Sequence, residues 1–128
     1  MFHYTVETSK SIEEAIHSLE ENLKAEQFGI QWQFNVKETL NNKGYELENP
    51  FIVLEVCNPE EAQNILSKNQ IIGYFLPCKI VVYKDNEGKT KIGMPKPSAL
   101  IQMLEDESLQ ELATDIEKRL IVCIDKSM

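Results

Sequence analysis

The sequence predicts an α+β fold, a mixed, largely antiparallel sheet backed by helices in the order β-α-β-β-α-β-β-α. Three observations carry this. Residues 51–57 and 78–84 are apolar or alternating runs of strand length. Residues 11–23 and 109–120 repeat apolar side chains at helical spacing. Asp85-Asn86-Glu87-Gly88 separates two strand-like runs as a hairpin turn would. The chain has 128 residues, 42% hydrophobic and 27% charged, which suits one domain spanning 1–128 with a core of its own.

Residues 2–7 alternate as a first strand, and Ser11 with Glu14 forms a capping-box pattern ahead of Ile12, Ala15, Ile16, Leu19 and Leu23. In the second strand Ile30, Trp32, Phe34 and Val36 alternate with polar residues, which predicts one buried and one wet face. A short helical turn follows, with Asn35 as cap, Leu40 inside and Gly44 beyond its end.

The third strand, 51–57, sets Ile52, Leu54 and Val56 on one face and Phe51, Val53, Glu55 and Cys57 on the other. Asn58 can cap the next helix, Pro59 suits its first position, and Ala62, Ile65 and Leu66 face inward. An apolar connection over 71–76 stops at Pro77. Strands 78–84 and 89–94 then form the hairpin, with Lys89 and Lys91 on one side as at a protected sheet edge. Ser98 is positioned to cap a short helix carrying Leu100, Met103 and Leu104. The last helix carries Leu109, Leu112, Ala113, Ile116 and Leu120, with Glu111, Asp115 and Glu117 outside. Residues 120–124 are apolar all round and need cover.

A formal net charge of −8 disfavours nucleic acid, whose binders draw non-specific affinity from clustered Lys and Arg. The first residues have no basic and apolar signal pattern, and no run approaches a membrane span, so a cytoplasmic location is expected. Cys57, Cys78 and Cys123 form an odd, widely spaced set and are expected to be reduced thiols.

Chemistry has few places to sit. Cys57 and Asn58 mark a strand-to-helix junction and Cys78 a turn-to-strand junction; these three are the candidate functional residues. A helix N-terminus stabilises a thiolate, which makes Cys57 the expected most reactive thiol, modestly activated against the opposing charges of Glu55, Glu60 and Glu61. The competing reading is a small residue packed at a tight junction, and Cys123 reads as core. His3 or His17 with Cys57 and Cys78 lacks metal-ligand spacing, and adjacent carboxylates such as Glu60-Glu61 do not face one another on a helix. No phosphate loop or nucleophile elbow is present, so no catalytic residue, cofactor or metal is assigned.

Four segments together, Phe28-Gly29-Ile30, Asn35-Val36-Lys37-Glu38-Thr39-Leu40, Cys57-Asn58-Pro59 and Leu76-Pro77-Cys78-Lys79-Ile80-Val81-Val82-Tyr83, occur in a characteristic order and spacing. In them the chain resembles domain-of-unknown-function family 302 over nearly its whole length. The resemblance implies a fold similar to the TATA-box-binding protein, a curved sheet backed by helices, with no established activity. Asn35 stands where the family often has Asp, Lys79 where it often has Asn, and Lys96 where it often has Asp. Two carboxylates are thus missing, along with any acid, base or cation role they would carry.

The functional expectation is a non-catalytic ligand-binding or self-association module, its ligand unspecified, using a sheet face that helices leave open. Val81 and Tyr83 motivate it, because both alternating sets of the fourth strand are apolar. With residues 120–124 they point to a homodimer. The alternative is a thiol-based redox or soft-metal-handling protein using Cys57 and Cys78.

Overall fold

In the computed structural model, which describes residues 1–76 and 78–128, short-range hydrogen bonds start most of the helices. Pro77, the expected stop before the fourth strand, lies outside the described residues. Helix α1 (Ile12–Ala25) opens on a reciprocal cap: the Glu14 N–H donates to the Ser11 hydroxyl and the Ser11 N–H to the Glu14 carboxylate, each at 3.2 Å. Asn35 accepts from the Glu38 N–H to cap α2 (Val36–Asn42), and Asn58 accepts from the Glu61 N–H to cap α3 (Pro59–Lys68). Asp106 caps α5 (Glu107–Lys126) through Ser108 and Leu109.

The expected cap at Ser98 is not formed. Helix α4 (Pro97–Ile101) follows Lys96 without a side-chain cap, and the N–H and hydroxyl of Ser98 both donate to Glu117 of α5. Glu117, expected on the outer face, is therefore turned toward α4 and half-buried.

Five strands, β1 (His3–Thr8), β2 (Gly29–Asn35), β3 (Phe51–Cys57), β4 (Cys78–Lys84) and β5 (Thr90–Pro95), form one sheet in the order β1-β5-β4-β3-β2. Every pairing is antiparallel, and the α+β architecture expected from the sequence is present. The hairpin turn joins β4 to β5. There Asp85 accepts from the Glu87 and Lys89 N–H groups, and Gly88 takes a φ of +79°, which side-chain-bearing residues avoid.

Two expectations about the sheet are corrected. Strand β5 is interior, between β1 and β4, so its lysines do not guard an edge. Lys91 is opposed to Glu7 of β1 at 3.5 Å and reaches Asp85 at 3.8 Å, so cross-strand charge pairing accounts for it. In β2 the register slips at Gln31: Ile30 is opposed to Val56, but Trp32 to Glu55. This bulge breaks the two-residue period, turning Ile30 toward the core and Trp32 and Phe34 to the other face.

Opposed residues of an antiparallel pair share a face. Leu54 with Ile80 and Ile52 with Val82 thus lie together, all buried, beneath Leu19 and Leu23 of α1 and Leu120 and Ile124 of α5. The apolar segment 120–124 is covered by the chain itself: Leu120, Cys123 and Ile124 are buried and only Val122 is exposed. In α3 Ile65 faces inward as expected, but Leu66 is exposed.

Polar ties hold the helices in place. The Arg119 guanidinium donates to the Glu61 carboxylate at 2.9 Å and the Glu26 carbonyl at 3.0 Å, lying 5.0 Å over the Phe28 ring. The buried Ser127 hydroxyl donates to the Cys123 carbonyl and accepts from Asn22, while Lys10 donates to the Ser127 carbonyl.

Leu19 is fully buried. Leu19→Ala should lower stability by about 2–5 kcal/mol through lost burial and a residual cavity, read as a shifted midpoint in chemical denaturation.

Candidate functional site

One end of the sheet divides. Strand β4 stays paired with β3 as far as Cys78 opposite Val56, and β5 stays paired with β1 as far as Pro95 opposite His3. Between β4 and β5 the pairing stops at Val81 opposite Gly93. Two residues further the register would bring Lys79 to Pro95, which has no N–H to give. Cys78 and Lys79 from one diverging strand and Pro95 from the other line a cavity of about 340 Å³. Its apolar wall comes from Ile72, Ile101, Leu112 and Ile116, and Glu55 also lines it. A cavity here is not legible from sequence, because leucines and isoleucines at helical spacing look the same whether they close a core or line a hollow.

The candidate thiols are adjacent in the sheet but on opposite faces. Cys78 opposes Val56 on the helix-covered side; Cys57, the next residue of β3, opposes Gly29 and shares the face of Glu55. All three cysteines are free. Burial pushes the Cys78 thiol up to about 11, with the neighbouring Cys57 adding to the effect. Burial also raises Cys57, contrary to the expected activation. The Glu61 N–H that would have favoured an anion is taken by the buried side chain of Asn58. Cys123 is likewise lifted to about 11 by burial, then by Glu26, and donates to the Asn22 carbonyl at 3.4 Å. At neutral pH these are thiols, not thiolates.

The remaining candidates have local partners. His17 meets Glu21 at 3.2 Å on the exposed side of α1, and His3 Nδ1 lies 2.9 Å from the Thr5 hydroxyl. Among the described residues no group of three or more His, Cys, Asp or Glu side chains is arranged to hold a metal ion. No helix is long and apolar enough to cross a membrane among the described residues. Asn35 works as a helix cap and the Lys96 N–H donates to the Phe2 carbonyl.

The second feature is the sheet face turned away from the helices. Phe51, Val53, Val81 and Tyr83 occupy it on the two central strands, with the Phe51 and Tyr83 rings stacked at 5.1 Å. The bulge adds Trp32 and Phe34, stacked at 5.3 Å, and Trp32 is 55% exposed. Gly93 belongs to this face because a Cβ there would come within 2.8 Å of the Thr5 hydroxyl.

The family model described as "Domain of unknown function DUF302" matches residues 4–127. The chain belongs to this family. It is also similar, at 55% identity, to a protein whose crystal structure is described as that of an uncharacterized conserved DUF302 protein from Bacillus stearothermophilus. That match covers 100% of this chain and 99% of the other, with a TM-score of 0.96. No curated protein matches the chain. The DUF302 fold is therefore secured by a close structural relative, while its chemistry has to be argued from the residues.

With Cys78 and Cys123 at about 11, alkylation of native protein should be slow for both at pH 7.5. Timed labelling with mass mapping should show the Cys78 rate rising by about tenfold per pH unit until near its pKa. Rapid, pH-independent labelling of Cys78 at pH 6–8 would contradict its burial.

Proposed function

We propose that this DUF302 protein is a non-catalytic binding module that self-associates as a homodimer through the helix-free face of its sheet. The observation that carries the reading is the contiguous row Phe51, Val53, Val81 and Tyr83 with Trp32 and Phe34 beside it, all outside the core. Trp32 is exposed and the other five are half-buried beside one another, and an apolar patch that no helix covers marks an interaction site.

The charge distribution favours a second copy as the partner. The chain as a whole carries −8, so most approaches between copies are repulsive. The open face differs: its strand positions carry Glu7 and Glu55 against Lys79 and Lys91, two of each sign. An isologous pairing sets this balanced patch against itself. The segment 120–124 gives this reading no support, since the chain's own packing covers it.

Thiol catalysis draws no support from the geometry. The neutral thiols of Cys57 and Cys78 face opposite sides of the sheet, whereas a nucleophile or soft-metal ligand works as the thiolate. Reduced cysteines fit a cytoplasmic setting. The net charge of −8 argues against nucleic-acid binding.

Light scattering across the micromolar range should give twice the 14.7 kDa chain mass. Val81→Glu, which brings two like negative charges together at the centre of the interface, should give the single-chain mass while keeping a cooperative unfolding transition. A concentration-independent single-chain mass for the unaltered protein would reject the proposal. In a separate titration at low salt, duplex DNA should not bind at micromolar concentration; binding with a steep salt dependence would reverse the charge argument.

A further inference from the structure

We infer that the cavity at the divided end of the sheet is a binding site for a small uncharged apolar molecule, an alkyl-substituted aromatic or a hydrocarbon of similar bulk, which enters between Tyr74 and Leu100. The site lies across the sheet from the self-association face, so ligand binding and self-association are separable. Its size is that of a ligand and not of a packing defect. A cavity of about 150 Å³ lined by apolar side chains accommodates benzene, and the 340 Å³ here corresponds to a body of roughly a dozen heavy atoms.

The wall excludes charge. Ile72, Ile101, Ala113 and Ile116 line the cavity and are buried. The Cys78 thiol, on the same helix-covered side, is neutral at physiological pH. Glu55 and Lys79 border the cavity from β3 and β4, but alternation along each strand turns their side chains to the helix-free face. Among the described residues no buried side-chain nitrogen or oxygen lacks a hydrogen-bond partner, so the interior holds no side-chain donor or acceptor left over for a ligand group. An ammonium or carboxylate drawn inside would lose its hydration and gain no partner. An apolar body only exchanges water for hydrocarbon.

The cavity stays open because one wall is pinned. The N–H and hydroxyl of Ser98 both donate to Glu117 of α5, and the Gln110 amide donates to the Ser98 carbonyl at 3.0 Å. Sliding α4 inward to fill the space works against all three bonds. The 3-10 turn Gln70–Phe75 contributes the buried Ile72 and also Tyr74, which is 83% exposed. Tyr74 and the half-buried Leu100 of α4 thus belong both to the cavity and to the surface, which places the mouth between them.

Calorimetric titration of the full chain with n-butylbenzene should show saturable binding to one site per chain. A carboxylate at the end of the same alkyl chain, as in 4-phenylbutyrate, should weaken binding about tenfold or more. Ala113→Leu, which extends hydrocarbon from α5 into the space, should abolish the binding heat while keeping a cooperative unfolding transition. The native thiol gives a second readout that needs no variant. At pH 9, saturating n-butylbenzene should slow alkylation of Cys78 about fivefold or more and leave Cys57, on the other side of the sheet, unchanged. No saturable binding, Cys78 labelling that ignores the ligand, undiminished binding to a folded Ala113→Leu protein, or equal affinity for 4-phenylbutyrate would each overturn the assignment.

Discussion

Burial of one side of the sheet under α1 and α5 is the constraint on which the rest of the structure depends. Leu19, Leu23, Leu54, Ile80, Val82, Leu120 and Ile124 are essentially sealed from solvent, and each such side chain contributes about 1.5–3 kcal/mol. Strand side chains alternate, so committing Leu54, Ile80 and Val82 inward commits Val53, Val81 and Tyr83 outward. The apolar face presented to solvent is thus a geometric consequence of the core, and its composition is the part left to selection. Val53 and Val81 are good strand formers whether covered or not. The aromatic residues around them go further than strand propensity requires.

Polar interactions orient this packing more than they drive it. Arg119 joins α5 to α3 through Glu61 and to α1 through the Glu26 carbonyl, but with a quarter of its side chain exposed its ion pairs contribute about 1 kcal/mol or less each. Its value is directional, since a planar guanidinium fixes three groups at once. Ser127, Asn22 and Lys10 do the same where the last turn of α5 meets α1. Among the described residues no buried side-chain nitrogen or oxygen lacks a partner, as a well-determined fold requires.

Much of this was legible in the sequence, where the information is local. Ser11 with Glu14, Asn35, Asn58 and the bounds of β3 and β4 are written in residues a few positions apart, and the structure places them as read. What misled was long-range. Lys91 looked like edge protection because its partner, Glu7, lies far away in the chain. Ser98 looked like a cap because Glu117, which claims it, belongs to another helix. The candidate site divides in the same way. Asn58 is legible as a cap, but whether Cys57 is activated depends on which group takes the Glu61 N–H and on how far the thiol is buried. The cavity was invisible, since it arises where Pro95 interrupts pairing between strands whose offset no local pattern encodes.

The bulge at Gln31 has a consequence for how copies of this chain can meet. The sheet has two outer strands, β1 and β2, and an outer strand with regular unpaired amides is a template to which another chain can add without limit, building a filament. In β2 the extra residue throws the spacing of those amides out of step after Ile30, so an incoming strand cannot stay in register along it. Growth by strand addition is frustrated at that border, whereas the self-association proposed above, through the flat side, would be finite because each copy has only one such side to give. The irregularity in β2 thus disfavours strand addition at that border of the sheet, leaving β1 as the regular outer strand.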